Sequence, residues 1–267
     1  MTEQVPLLLY KYCRCNRYNE DIILGGEFYL SRPSTFNDPF DCRGPIRLEG
    51  TDEELRVFLR DRVLPLQDLP TEKVEPTLDK LFASGRANWY RSAEFAAQMT
   101  AKFREHMEVL CLSQVRDDIV MWSHYADHHR GVCFGFSTEH SDLLQSAEKV
   151  QYSMSFPVLN ALRTNEKDIH RGFFGTKFIT WKYEKEWRVV RAATEAQRYA
   201  FPPGTIKEVT FGSRISNDDQ RRLILMLHFR GTQLQYFRAV EHPEEYKLQI
   251  IPLPLDDDMI RDALAGM

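Results

Sequence analysis

The sequence predicts an α+β fold: one domain over residues 1–267 with a helical insertion at 51–107. Three observations lead there. Short apolar runs suited to strands lie in both the N-terminal and the C-terminal parts of the chain, and they are not regularly interleaved with helices as a doubly wound sheet requires. A central stretch instead repeats apolar residues at helical spacing. No internal repeat or low-complexity linker divides the chain.

The elements follow in order. Leu7 to Tyr12 suits a strand, Ile22 to Leu24 before Gly25-Gly26 reads as the end of a helix, and Glu27 to Ser31 as a second strand. RPSTFNDPFDCRGP, 14 residues dense in Pro, Asn, Asp and Gly, is loop, and connections of that length tend to be functional. In the insertion, Thr51 and Glu54 form a capping box. Three helical stripes follow: Leu55, Phe58, Leu59 and Val63; Val74, Leu78, Leu81 and Phe82; and Phe95, Met99 and Phe103. Trp89-Tyr90 reads as packing.

The β pattern resumes with VLCLS from Val109. Asp117 is expected to cap a helix through DIVMWSHYADHH, which Gly131 closes, and VCFGFS is the next strand. Further strands are expected at Val150 to Ser153, Glu186 to Arg191, Ile206 to Phe211, Gln233 to Val240 and Tyr246 to Leu253. Helix and loop occupy 157–172, a Pro-Pro-Gly turn starts at Pro202, and a helix is capped near Asn217.

Composition narrows the function. With 35 basic and 39 acidic residues the net charge is -4, which gives no electrostatic footprint for binding a phosphate backbone. The five cysteines are odd in number and none pair as C-x-x-C, so neither a disulfide framework nor a zinc ribbon is indicated. No apolar stretch reaches the length of a signal-peptide core or a membrane span. The expectation is a cytoplasmic protein. P-loop, G-x-G-x-x-G, G-x-S-x-G and H-E-x-x-H motifs do not occur.

Four polar-aromatic stretches stand out: LYKY, FNDPFD, MWSHY and WKYEKEWR. His124 and His128 have metal-ligand spacing, but no second ligand motif accompanies them, and a solvated helix end explains His128 and His129 better. FNDPFD sets Asn37, Asp38 and Asp41 in a Pro-stiffened loop whose own turn chemistry accounts for Asp38, while the loop as a whole can line a site. Met121, Trp122 and Tyr125 share a helix face and suit core packing. WKYEKEWR is the hardest to explain by packing alone. Strand alternation puts Glu184, Glu186 and Arg188 on one side, and two acids together need a cation, substrate or metal. A salt-bridge ladder with Arg188 is the competing reading.

Taken in order, LYKY, FYLSRPSTFNDPFDC, VLCLSQVRDDIVMWSHYADHHRGVCFGF and WKYEKEWR resemble the bacterial "domain of unknown function 2971" family, over residues 7–190. More distantly, the layout is similar to the ADP-ribosyltransferase superfamily, particularly its DNA-modifying toxin branch. That resemblance implies a mixed, largely antiparallel split sheet forming a cleft, and NAD as a substrate. It puts Lys11 or Tyr12 at the first-strand position that contacts ribose, Tyr125 as the aromatic stacking on nicotinamide, and Glu186 as the late-strand glutamate. Glu184 would orient the acceptor, Arg188 would bind pyrophosphate or neutralise the acids, and Asn37 would lie in a loop beside the nucleotide. This sequence departs from the pattern in having Lys11 where those families use His or Arg, and Lys cannot accept a hydrogen bond.

The implied activity is cleavage of the nicotinamide–ribose bond with transfer of ADP-ribose to an acceptor macromolecule that the sequence leaves open, in phage defence or as a toxin. Two other readings stand beside it. One is a non-catalytic nucleotide-sensing or interaction module. The other is a metal-dependent nuclease using Asp38, Asp41, Glu184 and Glu186, since hard divalent cations take oxygen ligands.

Overall fold

A computed structural model describes residues 3–67, 69–229 and 234–254. Gln233, where the sequence places the start of a strand, lies outside them. The chain is mixed α+β and packs as two compact units. The first comprises Met1–Ser31, Glu108–Val150 and Thr180–Met267; the second comprises Arg32–Met107 and Gln151–Ile179.

In chain order the strands and helices are β1 (Leu8–Cys13), α1 (Arg17–Gly25), β2 (Glu27–Tyr29), β3 (Ile46–Arg47), α2 (Asp52–Phe58), α3 (Thr71–Ala83), α4 (Ala93–His106) and β4 (Met107–Ser113). There follow α5 (Ile119–Tyr125), β5 (Val132–Ser137), α6 (Asp142–Gln145), β6 (Glu148–Lys149), β7 (Gln151–Ser153), β8 (Leu159–Asn160), α7 (Glu166–Phe174) and β9 (Thr176–Phe178). The last are β10 (Glu186–Ala192), β11 (Arg198–Ala200), β12 (Ile206–Phe211), α8 (Asn217–Phe229), β13 (Gln235–Glu241) and β14 (Leu248–Pro252).

The first unit is built on an eight-stranded sheet in the order β14-β13-β12-β5-β1-β4-β10-β6. β5 runs antiparallel to both β1 and β12, β1 is antiparallel to β4, and β10 to β6; β12 and β13 pair in parallel. Alternation then sorts the side chains into two faces. Leu9, Cys13, Leu110, Leu112, Phe134, Phe136, Trp187, Val189, Val209 and Phe211 enter the main apolar core. The opposite face carries Tyr10, Tyr12, Cys133, Ala239, Leu248 and Ile250, against which Met121, Trp122 and Tyr125 of α5 pack.

Two local expectations change. The cap of α5 is Asp118 rather than Asp117, its Oδ1 accepting from the amides of Val120 and Met121 at 2.9 Å each. The helix also stops at Tyr125, because Asp127, His128 and His129 all take left-handed backbone conformations (φ 47°, 54° and 70°). Gly131 closes this turn for a steric reason: a Cβ there would lie 2.0 Å from the Cys13 carbonyl oxygen.

In the second unit the capping box of α2 forms as its sequence indicates, Thr51 Oγ1 accepting from Glu54 N and Glu54 Oε2 from Thr51 N. Trp89, Tyr90 and Phe95 make an aromatic cluster with centroids 4.9–5.1 Å apart. The helical stretch expected within 157–172 is α7, capped by Asn165 and reaching Phe174. Two parallel strand pairs, β3 with β8 and β7 with β9, complete the unit. Among the described residues no helix is long and apolar enough to cross a membrane.

Candidate functional site

Three of the four polar-aromatic stretches are joined in the first unit by one peptide link, Ser113 to Arg116. Tyr12 of LYKY donates its hydroxyl to the Val115 carbonyl at 3.0 Å, and its ring meets that of Trp122 edge-on at 5.3 Å. Trp122 of MWSHY donates its indole N–H to the Arg116 carbonyl at 2.9 Å. Ser113 Oγ donates to the Glu184 carbonyl of WKYEKEWR at 2.7 Å, and Gln114 N donates to the Lys185 carbonyl at 3.1 Å. Each bond satisfies a backbone oxygen that a short irregular segment would otherwise leave unpaired, so the link and the three stretches fix one another.

That anchoring explains why WKYEKEWR departs from simple alternation. Ile179–Glu184 is a 3-10 turn and Lys185 is left-handed at φ 44°, so β10 begins only at Glu186. Glu184 therefore reaches its position from a turn. Its Oε1 accepts the hydroxyl of Tyr125 at 2.7 Å, and the side chain is buried. Glu186 and Arg188 do share a strand side. The guanidinium grips the carboxylate through Nε at 2.8 Å and Nη2 at 2.9 Å, with both residues at most 3% exposed. A bidentate pair so thoroughly removed from water holds one geometry.

Around Tyr125 and Glu184 stand further rings. His124 is exposed; its ring centroid lies 6.1 Å from both Tyr125 and Trp181, and Trp181 lies 6.0 Å from Tyr183. The Tyr183 hydroxyl and His124 Nδ1 are 3.4 Å apart. Tyr12, Tyr125 and Glu184 thus gather at one place. Lys11 does not join them: alternation turns it to the Leu9 and Cys13 side of β1, and its Nζ donates to the Cys111 carbonyl at 3.3 Å. Burial raises the Tyr12 phenol pKa and keeps it a hydrogen-bond donor, already given to Val115. Asn37 belongs to the second unit, exposed beside Asp38. There Asp38 Oδ1 accepts from Phe40 N at 2.8 Å, as its turn chemistry predicts, and Asp41 pairs with Lys177 at 3.6 Å.

A neighbouring group carried no sequence signal. On the α5 side of the sheet Glu208 accepts from Tyr10 at 3.2 Å and forms an ion pair with Arg116, whose guanidinium lies 4.1 Å from the Phe237 ring centroid. Gly135 makes room for it, since a Cβ there would stand 2.9 Å from the Tyr10 ring. The four residues are 10, 116, 208 and 237; strand register brings three of them together, and the link after β4 carries Arg116 to them. The recognisable trace is one glycine inside VCFGFS.

Among the described residues no group of three or more His, Cys, Asp or Glu side chains is placed to hold a metal ion. Asp38 accepts from an amide, Asp41 pairs with a lysine and Glu186 with an arginine.

Residues 121–189 match the family described as "Protein of unknown function (DUF2971)". They span α5 through the first half of β10 and so include Tyr125, Glu184, Glu186 and Arg188. No curated protein and no solved structure gives a match, so these comparisons leave ADP-ribosyltransferase likeness untouched.

Proposed function

We propose that this chain, a member of the DUF2971 family through residues 121–189, is a cytoplasmic ADP-ribosyltransferase-like enzyme that cleaves the nicotinamide–ribose bond of NAD. The observation that carries the reading is the 2.7 Å hydrogen bond from Tyr125 to Glu184, which sets a carboxylate at the foot of a group of aromatic rings. Such cleavage builds positive charge on the ribose C1′–O4′ unit as nicotinamide leaves with the bonding electron pair. A fixed carboxylate beside it stabilises that charge, and an acceptor hydroxyl, amine or carboxylate then bonds to C1′, giving up its proton if it carries one. In this reading the roles suggested by resemblance are exchanged. Glu184 faces the reacting ribose, and the Glu186–Arg188 pair holds the start of β10 in place beneath it. Neither Lys11 nor Tyr12 is assigned the ribose contact, since Lys11 lies on the other side of β1 and the Tyr12 hydroxyl is taken by Val115.

The test is nicotinamide release from NAD by the purified chain. Glu184→Gln lowers the rate about 100-fold or more, the scale expected when one preorganised electrostatic contact is lost. Tyr125→Phe lowers it less, because the carboxylate remains. Absence of both nicotinamide release and an NAD-induced thermal shift would sink the proposal.

One observation favours a second reading, a non-catalytic nucleotide-sensing module: Glu184 and Glu186 are only 2% and 3% exposed. Acids so enclosed suit structural roles. NAD binding by calorimetry with no nicotinamide released decides for this alternative.

A further inference from the structure

We infer that Trp181, Tyr183 and His124 form a stacking platform for the purine base of a nucleotide. The inference rests on the proposed function only for which nucleotide brings the base. The three rings are in mutual contact, with centroids 6.0 Å apart for Trp181–Tyr183 and 6.1 Å for His124–Trp181, at interplanar angles of 40° and 64°. His124 is exposed and the other two are half-buried, whereas Trp122 and Trp187, the tryptophans of the first unit's cores, are at most 1% exposed. All three rings keep part of their area toward solvent, where a flat ligand can meet them.

The platform is also held stiffly. The 3-10 turn that carries Trp181 and Tyr183 ends in left-handed Lys185, and its last residues are tied to Ser113 and Gln114. A non-glycine residue in that conformation persists where its surroundings over-determine it, a condition met often at ligand-binding segments. Charge chooses among ring-shaped ligands. Lys182, directly before Tyr183, and Lys185, two residues after it, are both exposed. Two ammonium groups disfavour a cationic ligand such as a methylated amine and suit one that carries phosphate. The nearby carboxylate of Glu184 is buried and bound by Tyr125. A flat ring bearing a phosphate is a nucleotide, and a purine offers the larger area to the indole.

Trp181 reports on its own occupancy. With Trp89→Phe as background, the remaining tryptophans are Trp122 and Trp187, closed to a quencher, and Trp181. Titration with AMP is expected to quench Trp181 emission, whereas ribose 5-phosphate, which has the same sugar and phosphate but no base, does not. By calorimetry Trp181→Ala weakens AMP binding about 5- to 150-fold, the range for loss of one base–aromatic stack, and Trp181→Phe recovers most of it. The inference is overturned if AMP does not bind, if Trp181→Ala binds it unchanged, or if ribose 5-phosphate binds equally well. The two proposals fail separately. AMP stacking without nicotinamide release keeps the platform and removes the cleavage reading; nicotinamide release with an unaltered KM for NAD in Trp181→Ala does the reverse.

Discussion

Replacing Arg188 with Met isolates the contribution of a charge pair buried in the first unit. Glu186 would keep its carboxylate at 3% exposure while losing two hydrogen bonds of 2.8 and 2.9 Å. Breaking one side of such a pair costs about 3–5 kcal/mol, because a buried carboxylate loses its bidentate cation. At about 2–4 °C per kcal/mol for a chain approaching this size, the melting temperature should fall by about 6–20 °C. Urea denaturation followed by tryptophan emission measures the loss, and the double variant Glu186→Met with Arg188→Met supplies the control. Two apolar side chains of similar volume remove both charges at once, so the double variant should recover most of the stability. A loss below about 1 kcal/mol for Arg188→Met, or a double variant as unstable as the single one, would refute the assignment of this pair to holding the start of β10.

Other outcomes follow from the same geometry. Gly135→Ala should destabilise by about 1–3 kcal/mol, since its methyl group would press on the Tyr10 ring and on the Glu208 Cβ at 3.1 Å; thermal denaturation checks it. Burial, with Arg214 adding to it, lowers the His129 pKa below its usual value. The folded state then binds fewer protons than the unfolded chain below about pH 6.5, so this contribution is complete above that pH and is lost as pH falls. His129→Gln should flatten the fall in melting temperature between pH 7 and pH 5. Burial pushes the Cys15 thiol up to about 12, so iodoacetamide at pH 8 should modify it at least about 100-fold more slowly than a free cysteine, as peptide mapping can show.

Much of the local structure is written in the sequence because its causes are local. The Thr51–Glu54 capping box, the strand character of VCFGFS and the turn made by Asp38 each depend on residues a few positions apart, and each forms. The start of β10 at Glu186 was likewise legible from the alternation of WRVV. Where alternation was extended back to Glu184 it failed, because the backbone there answers to Ser113 and Gln114 about 70 positions away. The helix after Asp118 ended early for a similar reason: its next turn bends to bring Gly131 against the Cys13 carbonyl.

The sequence by itself determined the α+β class, which rests on periodicity, and the short ordered motifs over residues 121–189 that match the DUF2971 family. Tertiary structure alone decided which acid meets Tyr125, which side of β1 Lys11 occupies and how Tyr10, Arg116, Glu208 and Phe237 assemble. These depend on strand register and on hydrogen bonds between distant segments. A one-residue change of register reverses every side chain on a strand, and no nearby residue in the chain specifies it.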